Sequence, residues 1–398
     1  MNVQRSEISP GPPWVIVAGG FHRHGGMDAA NAALASYLAE RGTPVHLVGH
    51  LFDEQLLKNP ALTAYRVARP LGSDLLGHRS LERRGWAVAN RILRSNSETR
   101  VVVNGGNCNF SDINWAHAVH RAWAVSDEGA PVSFRIKHRL EKYLNRQRER
   151  RAFTSARVIL ANSNRTRDEI IRLGVPPNRV HTVYLGAEPR WRAIDDRVRA
   201  AARDSFRIAL DRPAIAFIGA LGHDRNKGFD TLWQAWQKLS AIVNWDVDLL
   251  VAGGGRALDS WRQRVSDAGL GQRVHLLGHI ATVSQVLAAA DLLVSPVRYE
   301  AYGLNVHEAL CCGVPAIVTA TAGIAERFPA TLQDWLIPNP NDVEDLVRRL
   351  LLWRTSRASW KEHVRPLMHE LRARSWEQMA AEIVAIVSDA PSSKVACA

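Results

Sequence analysis

The chain has 398 residues, 46% of them hydrophobic and 23% charged, with a formal net charge of +12. That length exceeds one ordinary core and fits two α/β domains of about 180 residues each. No apolar run approaches the roughly 20 residues of a membrane-spanning helix, and residues 1–13 are polar and contain Pro and Gly, unlike a signal or transit peptide. Cys108, Cys311, Cys312 and Cys397 lack CxxC spacing, which argues against a zinc ribbon or a disulfide framework and points to a reducing cytoplasm. Residues 1–187 hold 26 Lys+Arg against 15 Asp+Glu, whereas the rest hold 25 against 24. One half therefore carries nearly all the positive potential, which favours an acidic partner there: phosphates, an anionic membrane or nucleic acid.

In chain order, residues 14–18 form a short β-rich run, followed by the Gly-rich stretch 19–26. Apolar Ala30, Leu34, Tyr37 and Leu38 recur with a helical period, predicting a helix over 27–41 that Gly42 stops, and 45–48 is the next strand. Residues 101–104, 113–117, 158–161 and 181–184 read as further strands, and strands separated by helices imply a parallel sheet. A charged, helical-looking linker falls near 195–212. Beyond it, 214–218, 248–251, 274–277, 292–294 and 316–319 are strand-like, with amphipathic helices between them. A last helix is expected at 375–387, then a disordered tail at 389–398. The economical architecture is α/β: two doubly wound sheets facing each other, with ligands at the carboxyl ends of the strands.

The strongest chemical signal is Glu300-Ala-Tyr-Gly-Leu-Asn-Val-His-Glu308-Ala, continuing through Cys312-Gly-Val-Pro315. Gly303 lets the chain enter a helix, and Glu308 lies about one and a half turns in. The first-turn amides near Gly303, Leu304 and Asn305 would be unpaired and would favour an anion. Glu300 stands just before that turn, so both carboxylates can reach one crevice.

Glu-x7-Glu with this Gly and the downstream Glu-Ala-x4-Gly-x-Pro resembles glycosyltransferase family 4, retaining enzymes of GT-B fold. The resemblance implies two facing Rossmann-like domains with a central cleft. An N-terminal acceptor domain would span 1–187, a linker 188–212 and a donor domain 213–372; a helix at 373–388 would pack back toward the first domain. It implies that Glu308 holds the nucleotide ribose and that Glu300 holds hydroxyls of the transferred sugar. Asn305 and His307 stand where family members usually carry aliphatic residues. A second match is Phe217-Ile-Gly-Ala-Leu-Gly-His-Asp-Arg225-Asn-Lys227-Gly-Phe-Asp230, in which Lys227 corresponds to the lysine that binds the donor diphosphate. The family often has an arginine where this chain has Ala220, and Arg225 is expected to supply the missing guanidinium. The loop at 19–26 matches the family's first loop, with Gly25 and Gly26 approaching the donor. His117 is matched to the histidine at the donor sugar, with His120 as runner-up. Backbone near Ile280 is matched to the base contact.

By the same resemblance the donor is a nucleotide-diphosphate sugar, configuration is retained through an oxocarbenium-like state, and no metal or other cofactor is needed. The acceptor stays open: a glycan, a lipid-linked molecule or a small molecule. Asp246-Val-Asp248 has the Asp-x-Asp form of metal-using transferases, but it begins a strand and so sits at the wrong end for a ligand. His22 and His24 lack further placed ligands and read as loop residues. A nicotinamide dehydrogenase is disfavoured because 19–26 lacks G-x-G-x-x-G spacing with a following acidic residue. Another GT-B activity remains an alternative: a sugar-phosphate synthase, a phosphorylase or a nucleotide-sugar epimerase. Residues 134–151 carry eight basic side chains against Glu141 and Glu149, with Ile136, Leu140 and Leu144 at helical spacing. Three readings of that segment stay open: a packed helix with a basic outer face, a peripheral contact with anionic membrane, and nucleic-acid binding.

Overall fold

The computed structural model describes residues 11–23, 25–70, 74–123, 127 and 129–390, the side chains of 74–76 excepted. His24 and positions 391–398 of the expected tail lie outside the described residues. The chain divides into two compact units: 1–120 with 139–186 and 376–398, and 121–138 with 187–375.

The first unit contains β1 (Trp14–Val17), β2 (Gly20–Phe21), α1 (Gly26–Glu40), β3 (Val45–Gly49), β4 (Leu51–Phe52), β5 (Leu62–Arg66), α2 (Asp74–Ser95), β6 (Arg100–Asn104) and β7 (Ile113–Ala116). Then come α3 (Val132–Ser155), which begins in the second unit, β8 (Val158–Ala161), α4 (Asn164–Ile171) and β9 (Val180–Thr182). Seven parallel strands run in the order β5-β3-β1-β6-β7-β8-β9. The central strands β1, β7 and β8 are buried at every position, so they read as continuous apolar runs rather than alternating ones.

The second unit contains α5 (Asp196–Ser205), β10 (Ala214–Ile218), α6 (Phe229–Ser240), β11 (Asp248–Ala252), α7 (Leu258–Asp267), β12 (Val274–Gly278), α8 (Val283–Ala289), β13 (Leu292–Ser295), α9 (Leu304–Cys311), β14 (Ala316–Thr319), β15 (Leu336–Ile337) and α10 (Val343–Ala373). Its parallel order β12-β11-β10-β13-β14-β15 is the doubly wound arrangement, with the winding reversing between β10 and β13. In the first sheet the reversal falls between β1 and β6.

Several expectations change. The strand expected over 113–117 stops at Ala116, and that expected over 181–184 is Val180–Thr182. Edge strands β5 and β15 were not anticipated, because an edge strand needs no long apolar run. Residues 196–205 are no free linker. Fully buried Arg203 donates to the carbonyls of Ala209, Leu210 and Arg212 and pairs with Asp291 at 2.7 Å, and Asp291 also accepts the Ala214 amide. This latch fixes α5 to the entry of β10. The last helix, α11 (Trp376–Asp389), packs on α1 within the first unit, where Arg41 pairs with Glu377. Ile136 and Leu140 on α3 do not pack: they are exposed.

Candidate donor site

The loops leaving β10 and β13 meet because those strands are neighbours at the reversal point. After β10, Gly219 donates to Ala252 O and Leu221 to Gly254 O, so the loop runs against the one after β11. Contact there is so close that a Cβ on Gly253 would lie 1.8 Å from Gly219 O. The chain then turns through residues 222–228, with Arg225 in left-handed backbone (φ 52°). Gly228 (φ 73°) starts α6, and a Cβ there would stand 1.9 Å from Pro296 O, so no other residue fits. Phe229 anchors the helix start, its ring 5.1 Å from that of Phe217 and edge-on to Trp261 at 4.9 Å.

Asn226 joins this turn to the loop after β13. Its Nδ2 donates to Tyr299 O (3.1 Å), its Oδ1 accepts from Tyr299 N (3.0 Å), and its carbonyl accepts from Arg298 N (2.8 Å). Arg298 in turn grips Asp230 of α6 with two bonds of 2.8 and 2.9 Å. The result places Lys227 Nζ 2.5 Å from Glu300 Oε2. Residues 73 apart in sequence thus form one charged pair.

Glu300 is followed by Gly303, in left-handed backbone (φ 110°), which opens α9. The Val306 and His307 amides bond to Gly303 O, whereas those of Gly303, Leu304 and Asn305 have no partner among the described residues. They are open donors at the positive end of the helix, which suits an anion. The two unusual residues of this helix have structural employment. Asn305 Nδ2 donates to Ile218 O (3.0 Å), tying α9 to the end of β10. Buried His307 takes a 2.7 Å bond between its Nδ1 and the Tyr302 hydroxyl, and burial lowers its pKa to about 3, so it stays neutral. Glu308, the next residue, has its carboxyl pushed up to about 8 by loss of solvent, against the opposing pull of Arg190.

Arg225 and Lys227 line one open cleft with Ala220, Gly222, Asp230 and Trp261. The Arg225 side chain is 42% exposed and reaches Asp230 only at 4.0 Å, a carboxylate already held by Arg298. Segment 121–138 borders this region. Trp123 stacks on Tyr299 (centroids 6.0 Å apart) and Phe134 meets His223 edge-on (5.3 Å). Ile280 follows β12, past left-handed Gly278. Asp246 and Asp248, at the opposite end of β11, are engaged by Arg354 and Arg212.

In the first unit, Gly25 (φ 86°) caps α1, which begins at Gly26, and Asp28 in its first turn lies 3.4 Å from His22. His117 directly follows β7. Its ring lies against Trp115 at 4.6 Å, its buried Nε2 has no partner among the described residues, and burial lowers its pKa to about 3. His120 is fully occupied instead: Glu149 takes its amide and its Nδ1, and Asn145 approaches its Nε2. Of the two histidines, His117 thus keeps a ring nitrogen that no described residue engages, whereas both ring nitrogens of His120 have neighbours. Sequence reasoning missed Asn226, Arg298, Tyr299 and Trp123. Asn226 alone had a signal, as an asparagine in a turn just before Lys-Gly.

Comparison with known proteins identifies the family of the chain. A model described as glycosyl transferases group 1 matches residues 212–353, and one described as Glycosyltransferase Family 4 matches residues 24–191. A 2-deoxystreptamine N-acetyl-D-glucosaminyltransferase from Streptomyces fradiae is 28% identical over 225 residues, 54% of this chain and 50% of that protein. An alpha-D-kanosaminyltransferase from Streptomyces kanamyceticus is 26% identical over 255 residues, 63% of this chain and 64% of that protein. The chain thus matches about half to two thirds of the length of these relatives. Among solved structures, WaaG, a glycosyltransferase involved in lipopolysaccharide biosynthesis, has a TM-score of 0.73 at 19% identity, covering 95% of this chain and 100% of that one. A sucrose-phosphate synthase from Thermosynechococcus elongatus has the same TM-score and identity, with 94% and 98% covered. HepE from Anabaena, in complex with UDP and glucose, has a TM-score of 0.68 at 15% identity, with 95% and 100% covered. With one family model on each half of the chain, the protein belongs to the family 4 glycosyltransferases of GT-B fold.

Proposed function

We propose that the protein transfers a sugar from a nucleotide-diphosphate donor to a hydroxyl-bearing acceptor with retention at the anomeric carbon. The observation that carries this reading is the meeting of Lys227 and Glu300 beside the open amides of α9. In this reading the diphosphate rests on the Leu304 and Asn305 amides and on the Lys227 ammonium, with Arg225 adding a forked donor from the same cleft. As the bond from the anomeric carbon to the diphosphate oxygen breaks, charge grows on that oxygen, and preorganised donors aimed at it stabilise the transition state. These cations do the work for which other transferases use a metal. Glu300 accepts from sugar hydroxyls, Glu308 from the ribose, backbone near Ile280 meets the base, and His117 contributes a neutral ring nitrogen to the sugar. Gly25 and Gly26 let backbone come close to the donor. The complex of HepE with UDP and glucose supports a nucleotide-sugar reading by analogy of fold.

The test is a panel of UDP-, GDP- and ADP-sugars offered with glycan, lipid-linked, small-molecule and sugar-phosphate acceptors. Nucleotide release is read first, and product configuration by NMR. Turnover with an inverted product removes retention. Turnover with a sugar phosphate alone makes the protein a synthase. No release with any donor, together with no calorimetric binding of any nucleoside diphosphate, refutes the proposal.

A further inference from the structure

Of the three readings of α3, the packed helix does not hold over residues 132–143. Val132, Ile136, Leu140 and Tyr143 are 67, 66, 55 and 61% exposed. At about 100° per residue these four fall within an arc of about 80°, a continuous apolar stripe rather than scattered surface residues. Basic residues border it on both sides. Arg135, Arg139 and Arg146 follow one edge; Lys137 and Arg151 follow the other. The helix carries eight basic side chains against two acidic ones, and one of those, Glu149, is buried and committed to His120. It is held near its start by Phe134 against His223 and near its end by Glu149, Ala152 and Phe153, all on other faces, while Arg146 also donates to His120 O.

We propose that α3 is an in-plane docking helix for a lipid surface that carries anionic headgroups. An apolar arc between two cationic edges is what a helix lying at the headgroup boundary requires: the stripe enters the acyl margin while Arg and Lys meet phosphates. Nucleic acid fits less well, since an uninterrupted phosphate backbone leaves the aliphatic stripe without a partner. A second copy of the chain fits less well too, because the cationic edges of the two stripes would then face each other. No helix among the described residues is long and apolar enough to cross a membrane, so this association is peripheral. The inference does not rest on the transferase reading.

The test uses the full chain and two vesicle preparations, phosphatidylcholine alone and phosphatidylcholine mixed with phosphatidylglycerol, read by co-sedimentation. Binding is expected only to the acidic vesicles and should weaken as salt rises. A charge variant, Arg139→Gln with Arg150→Gln and Arg151→Gln, should weaken partitioning by about 100-fold, given the usual contribution of each basic residue near such a surface. An apolar variant, Ile136→Ser with Leu140→Ser, keeps the charge and should weaken it at least tenfold. Unchanged circular dichroism and nucleotide affinity in both variants keep the comparison fair. Equal binding to both vesicles, or no binding to either, overturns the proposal. Full binding by the apolar variant reduces the helix to a general polycation, which also overturns it. A single-stranded oligonucleotide that binds more tightly than acidic vesicles and displaces them transfers the helix to nucleic acid. Self-association abolished by the apolar variant, without vesicle binding, assigns the stripe to a second copy of the chain.

Discussion

If Glu308 accepts from the ribose as proposed, it couples nucleotide binding to protons. Its carboxyl is pushed up to about 8 in the free protein because the chain around α9 strips it of solvent, and Arg190 offsets only part of that. At neutral pH it is therefore mostly protonated before a ligand arrives. A ribose donating hydroxyls to it favours the carboxylate and returns its pKa toward the ordinary value of about 4.3. Binding should then release close to one proton per nucleotide at pH 7. Affinity should rise about tenfold between pH 7 and pH 9, equivalent to about 1.4 kcal/mol, and level off above that. The sign for stability is opposite. An acid whose folded pKa is raised contributes stability below its unfolded pKa, and loses it as pH climbs through the folded value. The ligand-free protein should thus lose thermal stability from about pH 4.5 to pH 8, and nucleotide should restore most at the upper end. The assay is calorimetry with a nucleoside diphosphate in buffers of different ionisation enthalpy, at pH values above the last phosphate ionisation. Glu308→Gln should bind more weakly and lose both the proton release and the slope. A pH-independent affinity in the native protein, or a slope that survives Glu308→Gln, refutes the ribose assignment.

Four further outcomes follow from the same geometry. Arg225→Ala should lower kcat/KM about as severely as Lys227→Ala, on the order of 10²-fold, with Arg225→Lys recovering part of it and the double variant costing less than the sum; a fully active Arg225→Ala enzyme would leave the diphosphate to Lys227, the α9 amides or Arg23. Asn226→Ala removes two of the three bonds that hold Lys227 to the Glu300 loop, so kcat should fall tenfold or more while the midpoint of thermal unfolding moves by only a few degrees; native kinetics would show that the turn holds without it. His117→Ala should lose most transfer with its circular dichroism unchanged, whereas His120→Ala should chiefly lower stability, because its partners are Glu149 and Asn145; the reverse pattern would exchange their roles. Arg203→Ala takes from Asp291 one of its two arginines, Arg199 remaining at 2.6 Å, and deprives three carbonyls of their buried donor, so urea unfolding should show a loss of about 1–3 kcal/mol in the second unit, and no measurable loss would mean that Arg199 and apolar contacts hold α5 without it.

What the amino-acid order determined by itself is the set of short-range features. Apolar runs such as 14–17 and 214–218 made strands, because both faces of a parallel sheet are buried and no alternation is needed. Gly303 and Gly228 marked helix entries, because left-handed backbone strongly favours glycine. Glu300, Lys227 and Glu308 stood out because their motifs resemble those of the family. The tertiary structure alone decided the rest. Lys227 meets Glu300 because strand order sets β10 beside β13, a relation carried by the whole winding of the sheet and by no local signal. Asn226 gains its importance only from Tyr299, 73 positions away. His120 differs from His117 only because Glu149 of α3 folds against one and not the other. The helical period of Ile136 and Leu140 was visible in the sequence, but period alone cannot say whether another element arrives to cover a face; among the described residues none covers this one, and the stripe stays at the surface.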